Sequence, residues 1–146
     1  MRLPFFACVM LMTIVPGAMA REIPLDPRQA TYELRIYYPA PGKLAALNAR
    51  FRQHTVKLFA RHGMRNVAYW NEEPSAAAPD GRVIYVLAYP SRTAREESWR
   101  MFAQDPDWRK TVIESEAHGK LVEKVDSTFM SMADYSPALN LSDSTP

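Results

Sequence analysis

Arg82-Val83-Ile84-Tyr85-Val86-Leu87-Ala88-Tyr89 is the stretch on which the fold turns. As a strand it sets Val83, Tyr85, Leu87 and Tyr89 on one face and Ile84, Val86 and Ala88 on the other. A strand apolar on both faces is buried on both faces. A chain of 146 residues holds too few helical stretches to cover both sides of its own sheet. Something else must cover the second side, and a second copy of the same sheet is the most economical cover.

Outward from this strand, the pattern predicts the remaining elements. Upstream, Glu72 to Gly81 carries Pro74, Pro79 and Asp80-Gly81, a loop between two strands. Met64 to Asn71 reads as the preceding strand. Lys43 to His62 is a helix with Leu44, Leu47, Phe51, Thr55 and Leu58 in one apolar stripe, closed by Gly63 at C′. Thr31 to Tyr38 is the first strand, with Tyr32, Leu34, Ile36 and Tyr38 on one face and Glu33, Arg35 and Tyr37 on the other. Downstream, Ser91 caps a helix over Thr93 to Ala103, and Asp105-Pro106 starts a short helix as N-cap and N1. Val122 to Met132 is the last strand. The order is βαββαβ, an α+β ferredoxin-like antiparallel sheet with helices on one face.

The ends differ from this body. Arg2, the apolar run Phe5 to Val15 and the small-x-small Ala18-Met19-Ala20 read as a signal peptide over residues 1–20, cut after Ala20. The apolar run is too short to span a membrane, and no later run is long enough. The expected location is periplasmic or secreted. Cys8, the only cysteine, leaves with the signal, so the mature chain has no disulfide or thiol chemistry. Residues 21–30, with Pro24 and Pro27, read as a leader, residues 31–137 as the folded domain, and residues 138–146 as a disordered tail. A formal net charge of +2 gives no sign of a nucleic-acid partner.

Several short strings resemble the NIPSNAP family. They include Tyr32-Glu33-Leu34-Arg35, Pro41-Gly42-Lys43, Arg50-Phe51-Arg52-x-His54-Thr55 and Leu58-Phe59-x-x-His62-Gly63-Met64. Tyr69-Trp70, Tyr85-x-Leu87-Ala88-Tyr89, Ser98-Trp99, Asp105-Pro106-x-Trp108 and Asp134-Tyr135-Ser136-Pro137 continue the series. It runs in order from Tyr32 to Pro137, and its specificity lies in the whole series. The resemblance implies a homodimeric α/β barrel, in which two ferredoxin-like sheets face each other. It brings no established reaction. The family's animal members are mitochondrial and linked to trafficking and mitophagy signalling, from which a secretory-type signal departs. The wider fold group includes cofactor-free monooxygenases and haem-handling proteins, an analogy of fold only.

Among side chains that could carry chemistry, His54 stands out. On a wheel of 3.6 residues per turn it lies at the edge of the Leu47/Phe51/Leu58 stripe, beside Lys43, Arg50, Lys57 and Arg61. There it could serve as a base, or bind an anion together with Arg50. A half-buried histidine bonded to a carbonyl or tyrosine is the competing reading. His62, in the last turn, suits the helix's carbonyl end. Tyr69, Trp70, Tyr89 and Trp99 could wall a pocket for a flat apolar ligand, or pack the core. His54 and His62 are too far apart along a helix to share an ion, and Glu114 with His118 supplies only two ligands, so no metal site is expected. No nucleotide loop, Gly-x-Ser-x-Gly string or other cofactor motif occurs, and no cofactor is expected. Two readings remain: a dimer that binds a small hydrophobic molecule or a protein partner, and a cofactor-free monooxygenase or isomerase-like enzyme with His54 as base.

Overall fold

The computed structural model describes residues 25–139 and Leu141. The expected signal segment and residues 21–24 of the leader lie outside the described residues. Four strands form one antiparallel sheet: β1 (Thr31–Pro39), β2 (Arg65–Glu72), β3 (Arg82–Tyr89) and β4 (Val122–Met130), in the order β2-β3-β1-β4. This is the expected ferredoxin-like arrangement, with β3 and β1 central. Helices α1 (Leu44–Arg50) and α2 (Val56–Arg61) are joined by a π-helical turn, Phe51–Thr55. Helices α3 (Arg92–Gln104) and α4 (Pro106–Ser115) follow β3. Among the described residues no helix is long and apolar enough to cross a membrane.

The caps follow the sequence. Ser91 accepts from the Ala94 N–H at 3.1 Å and starts α3. Asp105 accepts from the Asp107 N–H at 2.7 Å, with Pro106 next to it opening α4. Asp105 Oδ2 also lies 2.6 Å from His62 Nε2 and 3.2 Å from Arg61 Nη1. One capping carboxylate thus ties the end of α2 to the start of α4. Gly63 takes φ +74° past the helix end, a backbone shape that suits glycine.

The core lies between helices and sheet. Leu47, Phe51, Leu58 and Phe59 descend from the first helical stretch onto Val83, Tyr85, Leu87 and Tyr89 of β3, with Phe102 from α3. Aromatic rings dominate the contacts. Phe51 meets Tyr85 edge-on at 5.2 Å, Tyr69 stacks on Tyr85 at 5.3 Å, and Phe59 meets Phe102 at 5.0 Å. Such pairs add about 0.5–1.5 kcal/mol each beyond the area they bury.

Strand β1 is turned the other way from a simple amphipathic reading. Residues opposite one another in paired strands share a face. Glu33 pairs with Leu87, and Arg35 with Tyr85, so its charged face looks toward the helices. Its apolar face, with Leu34 opposite Val86 and Ile36 opposite Ile84, looks away from them. One end of that outer face is covered by the chain itself. Leu25, Ala30, Met132 and Leu141 pack with Tyr32, Val67, Val86 and Ala88. Arg28 holds this cover together: Nη1 donates to the carbonyls of Ala133 and Asp134, and Nη2 to that of Ser136, each at 3.0 Å. Leu25 and Ala30, in the expected leader, and Leu141, in the expected tail, therefore contribute to packing, and Leu141 is only 7% exposed.

Candidate functional site

The sequence-selected residues separate into distinct places. Two of them, Tyr69 and Trp70, line a cleft of about 280 Å³ at the β2 edge of the sheet, with Asn48, Phe51, Arg52, Val56, Asn71 and Val83. The π turn shapes it, supplying Phe51 and Arg52. A π turn widens a helix by one residue and frequently marks a functional site. Thr55 steadies this one by donating its hydroxyl to the Arg50 carbonyl at 3.3 Å. Trp70 is 53% exposed, whereas the Tyr69 hydroxyl turns inward and bonds Asn66. Burial, and then the nearby Tyr37, raises the Tyr69 pKa above the ordinary 10.0. The cleft is therefore apolar and aromatic in its body, with amide and guanidinium groups among its lining.

His54 stands on the same π turn but is exposed, and it is not among the residues lining this cleft. Arg50 is buried: it donates to Glu116 at 2.8 Å and lies 5.3 Å from the Trp108 ring. It braces the first helix against α4.

Tyr89 and Trp99 belong to a second constellation, centred on Glu33. The Glu33 side chain is fully buried. Its Oε1 accepts from Arg35 Nη1 at 2.7 Å, Arg95 Nη2 at 2.6 Å and Ser127 Oγ at 2.6 Å. Its Oε2 accepts from Arg95 Nε at 3.0 Å, the Tyr89 hydroxyl at 3.1 Å and Trp99 Nε1 at 3.2 Å. Burial alone would raise the carboxyl pKa. The hydrogen bonds from Arg95 and Ser127 and the charge of Arg35 outweigh it and hold the group at about 2. Such a carboxylate is permanently ionised at neutral pH and saturated with donors, so it serves as an anchor and not as a base. Arg35 also donates to the Tyr85 hydroxyl at 3.1 Å, and its guanidinium lies 4.3 Å from the centre of the Trp99 ring. Sequence reading missed Glu33, Arg35 and Arg95. The available signal was a pair of charges on the face of β1 opposite to its apolar one.

Sheet order, helix placement and this helix–sheet interior define an α+β protein of ferredoxin-like architecture. The NIPSNAP family model matches residues 32–137. The chain belongs to the NIPSNAP family. Solved structures agree with the fold. An uncharacterized NIPSNAP-like domain protein from Burkholderia xenovorans superimposes with a TM-score of 0.65 at 17% identity, over 77% of this chain and 93% of that one. A NIPSNAP family protein of unknown function from Agrobacterium tumefaciens gives 0.62 at 22% identity, over 79% and 98%. A second NIPSNAP domain protein from Burkholderia xenovorans gives 0.60 at 19% identity, over 74% and 99%. Among curated proteins none matches the chain.

Proposed function

We propose that the protein binds a small molecule with a flat apolar body and a polar end in the cleft beside the π turn, without turning it over. The observation that carries this reading is the lining. Phe51, Val56, Tyr69 and Val83 offer apolar and ring surface, Trp70 borders the cleft at the β2 edge, and Asn48, Arg52 and Asn71 offer orienting polar groups. Among the described residues the lining holds no carboxylate, imidazole, thiol or aliphatic hydroxyl, and burial disfavours ionisation of its phenol, Tyr69. General-base chemistry has no evident agent there, and an enzyme using His54 would place its base outside the cleft.

Two further parts of the proposal concern context. The protein works as a pair of identical chains. Support comes from the outer face of the sheet, where Leu34, Ile36, Ile84 and Val86 are only half-buried and Trp70 and Met130 are exposed. It works outside the cytoplasm, a reading supported by the signal-like residues 1–20.

The binding test uses 8-anilinonaphthalene-1-sulfonate, a flat ring system with one anionic end. Saturable fluorescence enhancement is expected. Val56→Trp, which fills the cleft, should weaken it at least tenfold with little change in melting temperature, whereas His54→Ala should leave it unchanged. A signal insensitive to Val56→Trp would overturn the assignment.

A further inference from the structure

We propose a second binding site on the opposite side of the helix–sheet layer, in the trough between β4 and α3, that takes small aryl or alkyl monocarboxylates. It is independent of the β2-edge cleft. The trough exists because β4 is an edge strand that the helices leave open. Phe129 and Ser127 pair with Glu33 and Arg35, so they share the face that looks toward the helices, and both are exposed. The outer wall is α3, whose Arg92 and Arg95 lie 3.1 Å and 5.4 Å from the Phe129 ring centre.

Charge supplies the first argument. The site holds three guanidiniums, Arg35, Arg92 and Arg95, against the one Glu33 carboxylate, a positive surplus. Glu33 is fully buried, while the Arg35 and Arg95 side chains are 13% and 22% exposed. A surplus charge in a half-dry setting favours a counter-anion. Donor geometry supplies the second. Arg35 spends Nε on Tyr85 and Nη1 on Glu33, and Arg95 spends Nε and Nη2 on Glu33. Among the described residues, Arg35 Nη2 and Arg95 Nη1 make no hydrogen bond with the protein. Each guanidinium thus keeps one terminal nitrogen for an outside acceptor, and planar N–H groups suit a carboxylate.

Donor shape also selects the class of anion. A planar carboxylate matches the two free N–H groups, whereas the second charge of a phosphate would stand near the Glu33 carboxylate. The body of the ligand is read from the walls. Arg35 already lies over the Trp99 ring, and Phe129 and Val125 give apolar surface along β4. An aromatic or branched apolar group can continue that stack.

The test uses the full chain and phenylacetate, with 2-phenylethanol as the uncharged counterpart and phenyl phosphate as the dianion. The readout is the Trp99 indole N–H in nitrogen-15 NMR, assigned with Trp99→Phe. Phenylacetate is expected to shift this signal saturably, and 2-phenylethanol to leave it in place. Arg95→Lys, which keeps the charge and a contact to Glu33 but loses the free terminal nitrogen, should weaken binding about tenfold. Phe129→Ala, which leaves every charge of the cluster in place, should also weaken it. If Arg95→Lys fails to fold, Phe129→Ala and the uncharged counterpart decide. Val56→Trp should leave phenylacetate binding intact, which separates this site from the β2-edge cleft. The proposal is overturned if phenylacetate does not move the Trp99 signal, if 2-phenylethanol moves it equally, if phenyl phosphate binds more tightly, or if Val56→Trp abolishes the effect.

Discussion

At Glu33, burial and charge pull in opposite directions, and charge wins. Two arginines, a serine hydroxyl, a phenol and an indole converge on one carboxylate, and these donors hold its pKa at about 2 in place of 4.5. A carboxyl group whose folded value is depressed contributes stability in full above the unfolded value and loses it as pH falls through the folded one. The contribution is of order 3 kcal/mol, present above about pH 4.5 and gone near pH 2. Glu33→Gln keeps the shape but strands Arg35 and Arg95 beside each other. It should cost about 3–5 kcal/mol at pH 7, the range for breaking a buried pair. Urea titrations at several pH values check both statements. The variant should show a much flatter dependence between pH 4.5 and pH 2 than the parent.

At the scale of elements, the hairpin from β2 to β3 depends on one glycine. Gly81 sits at φ +69°, and a Cβ there would stand 2.3 Å from the Glu72 carbonyl oxygen. That contact is with backbone, which cannot swing aside, so strain and clash add. Gly81→Ala should lower stability by at least about 2 kcal/mol, measured by thermal or urea unfolding. The first helical stretch teaches a different lesson. A wheel drawn at 3.6 residues per turn correctly buries Leu47, Phe51, Thr55 and Leu58. It cannot foresee the π turn, within which His54 is exposed. The extra residue is accommodated by a local bond, Thr55 to the Arg50 carbonyl, and by the fit of Phe51 against Tyr85 and Tyr69. Those contacts come from strands distant in sequence. The same holds for the Glu33 constellation. Alternation along β1 separated its two faces, but only Arg95, Tyr89, Trp99 and Ser127, brought in from α3, β3 and β4, decide that the charged face turns inward. Element order and caps were legible because they are written locally. The direction of β1 was not, because its reason lies more than fifty residues away.

For the molecule as a whole, the expected pairing of two sheets and the chain's own cover compete for one face. The segments tied by Arg28 occupy the end near Tyr32 and Ala88. Ile36, Ile84 and Trp70 lie on the remainder. A second copy should therefore seat on that remainder. Light scattering at micromolar concentration should give twice the chain mass. Ile84→Glu, a charge at the middle of the apolar patch, should give a single chain that still melts cooperatively. A parent protein that scatters as one chain would refute the pairing. Export has its own check: mass spectrometry of protein recovered from outside the cytoplasm should find Arg21 as the first residue.

The inward charge of β1 has a consequence for how the sheet finds its alignment. β3 is apolar on both sides, so its hydrophobic pattern reads alike after a slip of one residue, which would exchange Val83, Tyr85 and Leu87 for Ile84, Val86 and Ala88. The hydrophobic pattern of the strand that announces the fold therefore cannot tell the correct pairing from the neighbouring wrong one. β1 can. A one-residue slip would turn Leu34 and Ile36 inward and carry Glu33 and Arg35 away from Arg95, Tyr89 and Ser127. Every misaligned sheet would leave a carboxylate and a guanidinium without their partners. The ion cluster thus penalises mispaired sheets that the hydrophobic pattern alone would accept.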